Sequence, residues 1–457
     1  MSFDKEVFEK QKSFFKSGRT LDVDFRIKQL KRLKEVIKAK EEKILEALNT
    51  DLRKSRFEGY ITEVSMVYEE INLSIRNLKS WSRNKKVKSP ITVFPASSYI
   101  HYEPFGTVLI IGPFNYPFQL NLSPLIGAIS AGNTAMVRPS EATIATSEII
   151  KDIIEEAFDL KYVAYIDPRN GREVMKEILA FNYDYIFFTG SIKVGKIVMS
   201  AAAENLTPVT LELGGKSPCI VDEDAKVRLA ARRIVWGKLL NCGQTCVAPD
   251  YIYVHKKIKE EFLVALKEEI KLQYGDDVQK SPDYVRMVNE REFDRVLSYI
   301  DNEKVWFGGA SDREDLYIEP TILNGVSVDD KVMEGEIFGP IIPVLEFEDI
   351  SRVIDEINSN EKPLALYYFS QDKRKRNHIL KYTTAGGVTL NDTVIHVASP
   401  YLPFGGVGTS GMGQYHGEES FLTFSNKKAI LDRATWLDMP LRYAPFKNKL
   451  SWVKKIL

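Results

Sequence analysis

The chain has 457 residues, a length that suggests two or three domains and ample capacity for a sizeable core. Its 44% hydrophobic and 28% charged residues are the composition of a soluble globular protein. Lysine plus arginine and aspartate plus glutamate both number 63, so no net charge draws the molecule as a whole to nucleic acid or anionic lipid.

The N-terminal stretch MSFDKEVFEKQKSFFK has no apolar signal core, and three cysteines cannot build a disulfide framework. A reducing, cytoplasmic setting is expected. Between residues 24 and 52, Ile27, Leu30, Leu33, Ile37, Ile44 and Leu48 recur among lysines and glutamates, which predicts one amphipathic helix. ITEVSMVYEEINLSIRNLKSW (61–81) predicts another. SPITVFPASSYIHYEP (89–104), rich in β-branched and aromatic residues and broken by prolines, reads as the strands of a hairpin or arm. From Pro104 to Val137 no residue is charged. Pro113, Pro117 and Pro124, with Asn115, Asn121 and Asn133, interrupt this run too often for a lipid-facing helix, so buried core is expected rather than a membrane span.

From residue 107 onward short apolar runs alternate with helical ones. TVLII, NTAMV, YVAYI and DYIFFTG predict buried strands, and LSPLIGAISAG, ATSEIIKDIIEEAF and NGREVMKEILAFN predict the helices between them. A second alternating set runs from DYIYVHKKI (250–258) through IIPVLEF (341–347) to LALYYFS (364–370). Continuous apolar strands alternating with helices imply parallel sheets covered on both faces, here two α/β domains facing each other across a cleft.

The stretches able to carry chemistry lie at the joints of this pattern. IIGPFNYPF ends a strand with Asn115, where ligands of open α/β sheets bind and where an amide can donate to an oxyanion; the rival reading is a turn asparagine serving its own backbone. VRPSE places Arg138 and Glu141 after another strand, suited to a nucleotide or to a loop salt bridge. FFTGSIKVGK is strand, turn and helix start, with Gly190 and Gly195, and can present N–H groups to a phosphate. VTLELGGKSP sets Glu212 between two leucines, where a carboxyl is pushed toward neutrality and suits proton abstraction; a solvent-facing strand end is the alternative. NCGQTCVAP holds Cys242 and Cys246, four residues apart. Zinc lacks its ligands here, since Cys219 stands alone and no histidine pair is near, so no metal is expected. Two small buried hydrophobes or a nucleophile remain, and the residues alone do not separate the two thiols. EGEIFGP and PYLPFGGVGTSGMGQYHG are further glycine-bearing loops.

Taken together, GNTAMVRPSE, FFTGSIKVGK, VTLELGGKSPCIV, NCGQTCVAPDY, EIFGP and LPFGGVGTSGMG resemble the aldehyde dehydrogenase superfamily, most closely its class-three branch, from about residue 20 to 447. The resemblance implies a Rossmann-like cofactor domain (1–87 and 104–213), an α/β catalytic domain (214–411), and an oligomerisation arm with a C-terminal tail (88–103 and 412–457). It makes Cys246 the nucleophile, Cys242 a packing thiol, Glu212 the base, and Asn115 with the Cys246 backbone N–H the oxyanion hole. Gly190, Ser191, Val194, Gly195 and Leu213 fall in the cofactor turn, Arg138 and Glu141 near the adenosine ribose, and Glu336 and Phe338 beside the nicotinamide riboside. Trp236, Thr245 and Phe404 match the aldehyde tunnel, which implies aliphatic or aromatic aldehydes. The cofactor implied is NAD, and because arginine stands at 138 where the family usually has lysine, NADP stays open. A homodimer is implied, without nucleic acid and without a membrane span, the tail KLSWVKKIL being short and basic. An acyl-transferring, coenzyme-A-dependent relative and a non-catalytic binding protein on the same fold are the alternatives.

Overall fold

The computed structural model describes residues 3–169 and 171–456. The chain opens with helices α1 (Phe3–Lys16), α2 (Val23–Ala39), α3 (Glu41–Leu52) and the single turn α4 (Arg56–Gly59). One π-helical turn, Tyr60–Val64, then leads into α5 (Ser65–Trp81). The apolar stripe predicted as one helix over 24–52 is therefore two, divided at Lys40, because α2 packs against α5, α6 and α7 while α3 packs against α7. Here α6 is Gln119–Ala131 and α7 is Ile144–Ala157.

Strands β1 (Lys85–Val87) and β2 (Ala96–Pro104) pair antiparallel. The expected strand pair over 89–104 is thus partly displaced. Ile91–Val93 forms a tight helical turn between Pro90 and Pro95, which lack the N–H a ladder needs, and β2 takes its second partner from the far C-terminus. The first large sheet follows with β3 (Thr107–Ile111), β4 (Thr134–Arg138), β5 (Val163–Tyr165), β6 (Tyr185–Thr189) and β7 (Val209–Glu212). Helices α8 (Gly171–Leu179) and α9 (Ile192–Glu204) lie among these strands; Asn170, the first residue of the predicted helix 170–182, lies outside the described residues.

The second sheet uses β8 (Pro218–Val221), helix α10 (Val227–Leu239), β9 (Tyr251–His255), α11 (Lys259–Tyr274) and α12 (Glu290–Leu297). It continues with β10 (Val305–Phe307), a small hairpin of β11 (Ser311–Asp312) and β12 (Tyr317–Ile318), then β13 (Thr321–Asn324) and β14 (Ile341–Phe347). Helix α13 (Ile350–Ser359), β15 (Ala365–Phe369), α14 (Lys373–Tyr382) and β16 (Gly387–Leu390) close it. The chain returns to the first sheet with β17 (Gly411–Met412), then forms α15 (Glu418–Thr423), β18 (Ser425–Arg433) and α16 (Lys449–Ile456).

The first sheet has the order β17-β7-β6-β3-β4-β5 and is parallel except for β17. Val108, Ile110, Ala135 and Val137 pack on one face under α2, α5, α6 and α7, whereas Leu109, Ile111, Met136 and Ile186 pack on the other under α1, α8 and α9. Alternation within strands that carry no polar face is what a doubly covered sheet requires. The second sheet has the order β10-β13-β14-β9-β8-β15-β16, parallel except for β10. The arm is the antiparallel sheet β1-β2-β18. The uncharged run 104–137 is interior: β3, α6 and β4 are buried throughout. Among the described residues no helix is long and apolar enough to cross a membrane.

Candidate active site

Four of the singled-out stretches reach one edge of the first sheet. Asn115 follows β3, Arg138 ends β4, Gly190 follows β6 and Glu212 ends β7, all at the carboxyl ends of parallel strands. The loop bearing Cys246 leaves α10 of the second sheet and comes to this edge.

That loop is held in an unusual conformation. Asn241, Cys242 and Gly243 are all left-handed, with φ of 53°, 55° and 75°. A side chain other than glycine there costs about 1–2 kcal/mol, so two such residues need compensation. The Asn241 N–H donates to Glu58 Oε1 (2.7 Å), and its Nδ2 donates to the carbonyls of Asn115 (2.8 Å) and Gln244 (3.0 Å). Gln244 Nε2 donates to the carbonyls of Asn241 and Arg286, and Gln244 Oε1 accepts from the Val288 N–H. Gly243 allows the turn because a Cβ there would sit 2.3 Å from the Gly339 carbonyl oxygen.

The two thiols differ in access. Cys242 is sealed in the core, its Sγ donating to the Tyr284 hydroxyl (3.5 Å), and burial pushes it up to about 12. Cys246 keeps part of its surface open. Burial pushes its thiol up to about 12, the nearby Glu336 and Glu212 add to the rise, and the N–H groups of Cys246 and Val247 pull it back.

Glu212 is 2% exposed, and neither carboxyl oxygen has a hydrogen-bond partner. Burial alone holds it well above the ordinary carboxylate range. Its backbone is pinned on both sides: the Gly190 N–H donates to its carbonyl (3.0 Å), and Leu213 N–H donates to Ser410 (3.1 Å). Asn115 is buried and donates through Nδ2 to the Gln244 carbonyl (3.0 Å). A carboxamide has two N–H donors, and the structure engages one.

Glu336 is pushed up to about 8, by burial first and then by Asp250, and its Oε1 has no partner. A Cβ on Gly214 would lie 2.0 Å from Glu336 Oε2, so glycine is what lets the two loops meet. Lys216 Nζ donates to Asp250 (2.6 Å) and to the carbonyls of Val332 and Gly335, while Asp250 accepts from the Ile337 N–H (2.9 Å). Phe338 is left-handed (φ 52°) and meets Phe114 edge-on at 5.8 Å.

Along the same sheet edge, Arg138 is buried. Its Nη2 donates to the half-exposed Glu141 (2.7 Å), and its Nε has no partner. Ser191 caps α9 by accepting from the Val194 N–H. Gly195 lies so close to Leu213 that a Cβ would come within 2.6 Å of its side chain. A helix N-terminus packed tightly on its strand offers N–H donors and partial positive charge to a phosphate.

Thr245, Phe404 and Trp236 have different surroundings. Thr245 shares a 2.6 Å hydroxyl hydrogen bond with Tyr116. Phe404 stacks with His396 and with His416, centroids 6.2 and 5.4 Å away, and meets Tyr415 edge-on. Trp236 is 40% exposed on α10 and lines an open groove of about 600 Å³ with Leu272 and Ile395. No hydrogen bond or ring contact joins it to Thr245 or Phe404 among the described residues. Sequence reasoning missed the supports: Glu58 lies in no quoted stretch, and Gln244, Lys216 and Asp250 lie within quoted stretches but were given no role.

Residues 5–430 match the aldehyde dehydrogenase family. The chain is 46% identical over 456 residues to 4,4'-diaponeurosporen-aldehyde dehydrogenase of Staphylococcus aureus, covering 99% of each chain. It is 44% identical over 431 residues to the dimeric NADP-preferring aldehyde dehydrogenase of Rattus norvegicus, covering 94% of this chain and 95% of that one. The solved substrate-bound state of Staphylococcus aureus AldH superposes with a TM-score of 0.97 at 46% identity, covering 100% of both chains.

Proposed function

This chain belongs to the aldehyde dehydrogenase family and is an NAD(P)-dependent oxidoreductase of aldehydes, and from that premise we propose how its own residues divide the work. Cys246 is the nucleophile, Glu212 the base and Asn115 the oxyanion donor. The observation that carries this reading is Glu212: a buried, unpartnered carboxyl placed in electrostatic reach of the one partly open thiol in its loop.

The Cys246 sulfur, as thiolate, bonds to the aldehyde carbon, and the carbonyl π pair moves onto oxygen. The free N–H of the Asn115 amide and the Cys246 backbone N–H receive that negative charge, a contribution of about 3 kcal/mol per donor. The oxidised nicotinamide, when bound, supplies positive charge beside the thiol and accepts the aldehydic hydrogen as hydride. A thioester on Cys246 remains. Glu212, ionised, takes a proton from water as the water oxygen bonds to the acyl carbon; the C–S bond breaks, and carboxylic acid and thiolate separate. Acyl transfer to a thiol acceptor needs no such base, so Glu212 favours hydrolysis.

Three features suit a dinucleotide: the open N-terminus of α9 at Ser191, the unpartnered Arg138 Nε, and the unpartnered Glu336 Oε1. We assign Gly190, Ser191, Val194, Gly195 and Leu213 to the pyrophosphate turn and Arg138 with Glu141 to the adenosine ribose. Glu336 and Phe338 hold the nicotinamide riboside. Glu141 favours NAD; the arginine beside it, together with the NADP preference in the rat relative's name, favours use of both cofactors. We assign Trp236, Thr245 and Phe404 to the aldehyde path. The aromatic wall at Phe404 supports apolar aldehydes, medium-chain aliphatic or aromatic.

We place the cofactor domain at 1–87 and 104–213, the catalytic domain at 214–411, and the arm and tail at 88–103 and 412–457, the arm sheet drawing in Lys85–Val87. A cytoplasmic homodimer fits three free cysteines and the word dimeric in a relative's name. Purified protein mixed with NAD or NADP and a panel of straight-chain and aromatic aldehydes, followed by absorbance, tests the reading. Reduction of cofactor by apolar aldehydes is expected; none with any pair rejects it.

A further inference from the structure

A fully buried ion pair lies beneath the oxyanion donor, outside every motif described above. Lys54 and Glu63 both have no exposed surface. Arg53 is left-handed at the end of α3, which turns the chain so that Lys54 enters the interior. Glu63 falls in the π-helical turn Tyr60–Val64, and such turns re-aim side chains and occur often at functional sites. Lys54 Nζ meets three partners. It bonds to Glu63 Oε1 (2.5 Å) and the Asn115 carbonyl (2.9 Å), and sits 4.1 Å from the centre of the Tyr116 ring.

Glu63 completes the unit. Its Oε2 accepts from the N–H groups of Phe118 (2.8 Å) and Gln119 (3.1 Å), where α6 begins. The Asn115 carbonyl is shared: it takes Lys54 from one side and Asn241 Nδ2 from the other. Asn241 is fixed in turn by Glu58, four residues from Lys54. The segment 54–63 thus ties the backbone of Asn115 and the left-handed turn before Cys246 into one body.

A buried Lys–Glu pair gains little stability over an apolar pair of the same volume, so fold stability is a weak reason for its presence. Position is a better one. We propose that Lys54 and Glu63 are positioning residues of the oxyanion hole: by holding the Asn115 carbonyl and the start of α6 they aim the Asn115 amide at the aldehyde oxygen. The inference rests on the reading of Asn115 as oxyanion donor.

The test uses the full-length enzyme with Lys54→Met, Glu63→Gln, and the double variant Lys54→Met/Glu63→Leu, beside Asn115→Ala. Three quantities are measured: the pre-steady-state burst of reduced nicotinamide, alkylation of Cys246 by iodoacetamide, and the dissociation constant for NAD. Alkylation forms no oxyanion, so it reports the thiol without the hole. Both single variants are expected to slow the burst by about tenfold or more, because small displacements of an aligned donor are costly. Alkylation and NAD binding stay within about twofold, since neither uses the Asn115 amide. The double variant, which buries no charge, recovers thermal stability but not the burst. Because Glu63→Gln is nearly isosteric and the double variant keeps an apolar fill, the test does not depend on Lys54→Met folding alone. A wild-type burst in any folded variant, alkylation slowed in step with the burst, or a double variant whose rate returns with its stability would each overturn the inference. An Asn115→Ala enzyme with an undiminished burst removes the oxyanion reading itself, which is a distinguishable result.

Discussion

Replacing Glu212 by glutamine tests the electrostatics and the chemistry of the site at once. The carboxyl is 2% exposed, has no hydrogen-bond partner, and is held well above its ordinary 4.5 by burial alone. The sign follows from linkage. In the unfolded chain Glu212 loses its proton near 4.5, while in the folded chain it loses it only at higher pH, so its contribution to stability is complete below the unfolded value and declines as pH rises toward the folded one. Within that window the native state forfeits about 1.4 kcal/mol per pH unit relative to a side chain that cannot ionise. Glu212→Gln keeps the shape and removes the titration, so its melting temperature relative to wild type is expected to climb as pH rises above about 5. Scanning calorimetry at matched ionic strength reads this directly. The same variant lacks a base for water: its hydride burst survives, while steady turnover falls by roughly 10²–10⁴. A glutamine variant that grows less stable relative to wild type with rising pH means that the native carboxylate is charged and partnered. Loss of burst and turnover together contradicts the role given to Glu212.

Other outcomes follow from the same geometry. Asn115→Ala is expected to slow the burst by about a hundredfold or more, the worth of one oxyanion donor, with alkylation of Cys246 unchanged. With its thiol pushed up to about 12, Cys246 of the cofactor-free enzyme should react with iodoacetamide at a rate still rising with pH at about pH 9, and faster once NAD is bound. Cys242→Ala should retain turnover, because that thiol is sealed against Tyr284. Phe404→Ala and Trp236→Ala should each change the ranking of aldehydes by kcat/KM; a ranking within about twofold of wild type in either variant removes that residue from the aldehyde path.

The sheets and the edge bearing Asn115, Arg138, Gly190 and Glu212 were legible because buried parallel strands leave uninterrupted apolar runs, and their carboxyl ends carry glycine and proline. Where an apolar stripe continues across a break, as at Lys40, periodicity alone cannot show that two helices share one neighbour, α7, while only the first also packs on α5 and α6. The arm was legible in part: Ala96–Pro104 is a strand paired with Ser425–Arg433, whereas the β-branched residues at Ile91–Val93 suit a strand but flanking prolines remove its ladder. Least legible were the supports. Lys54 and Glu63 look like surface charges in a helical segment, and only the left-handed Arg53 and the π-helical turn bring them inward. Likewise the two thiols of one loop part company only through burial, which depends on Tyr284 some forty residues away.

Mass mapping of the enzyme quenched in mid-turnover on an aldehyde and NAD tests the central claim most directly. The account predicts an acyl mass on the peptide containing Cys246, absent from Cys246→Ala and accumulating in Glu212→Gln. An acyl group on Cys242 or on any other side chain, or turnover without an adduct in the glutamine variant, contradicts it.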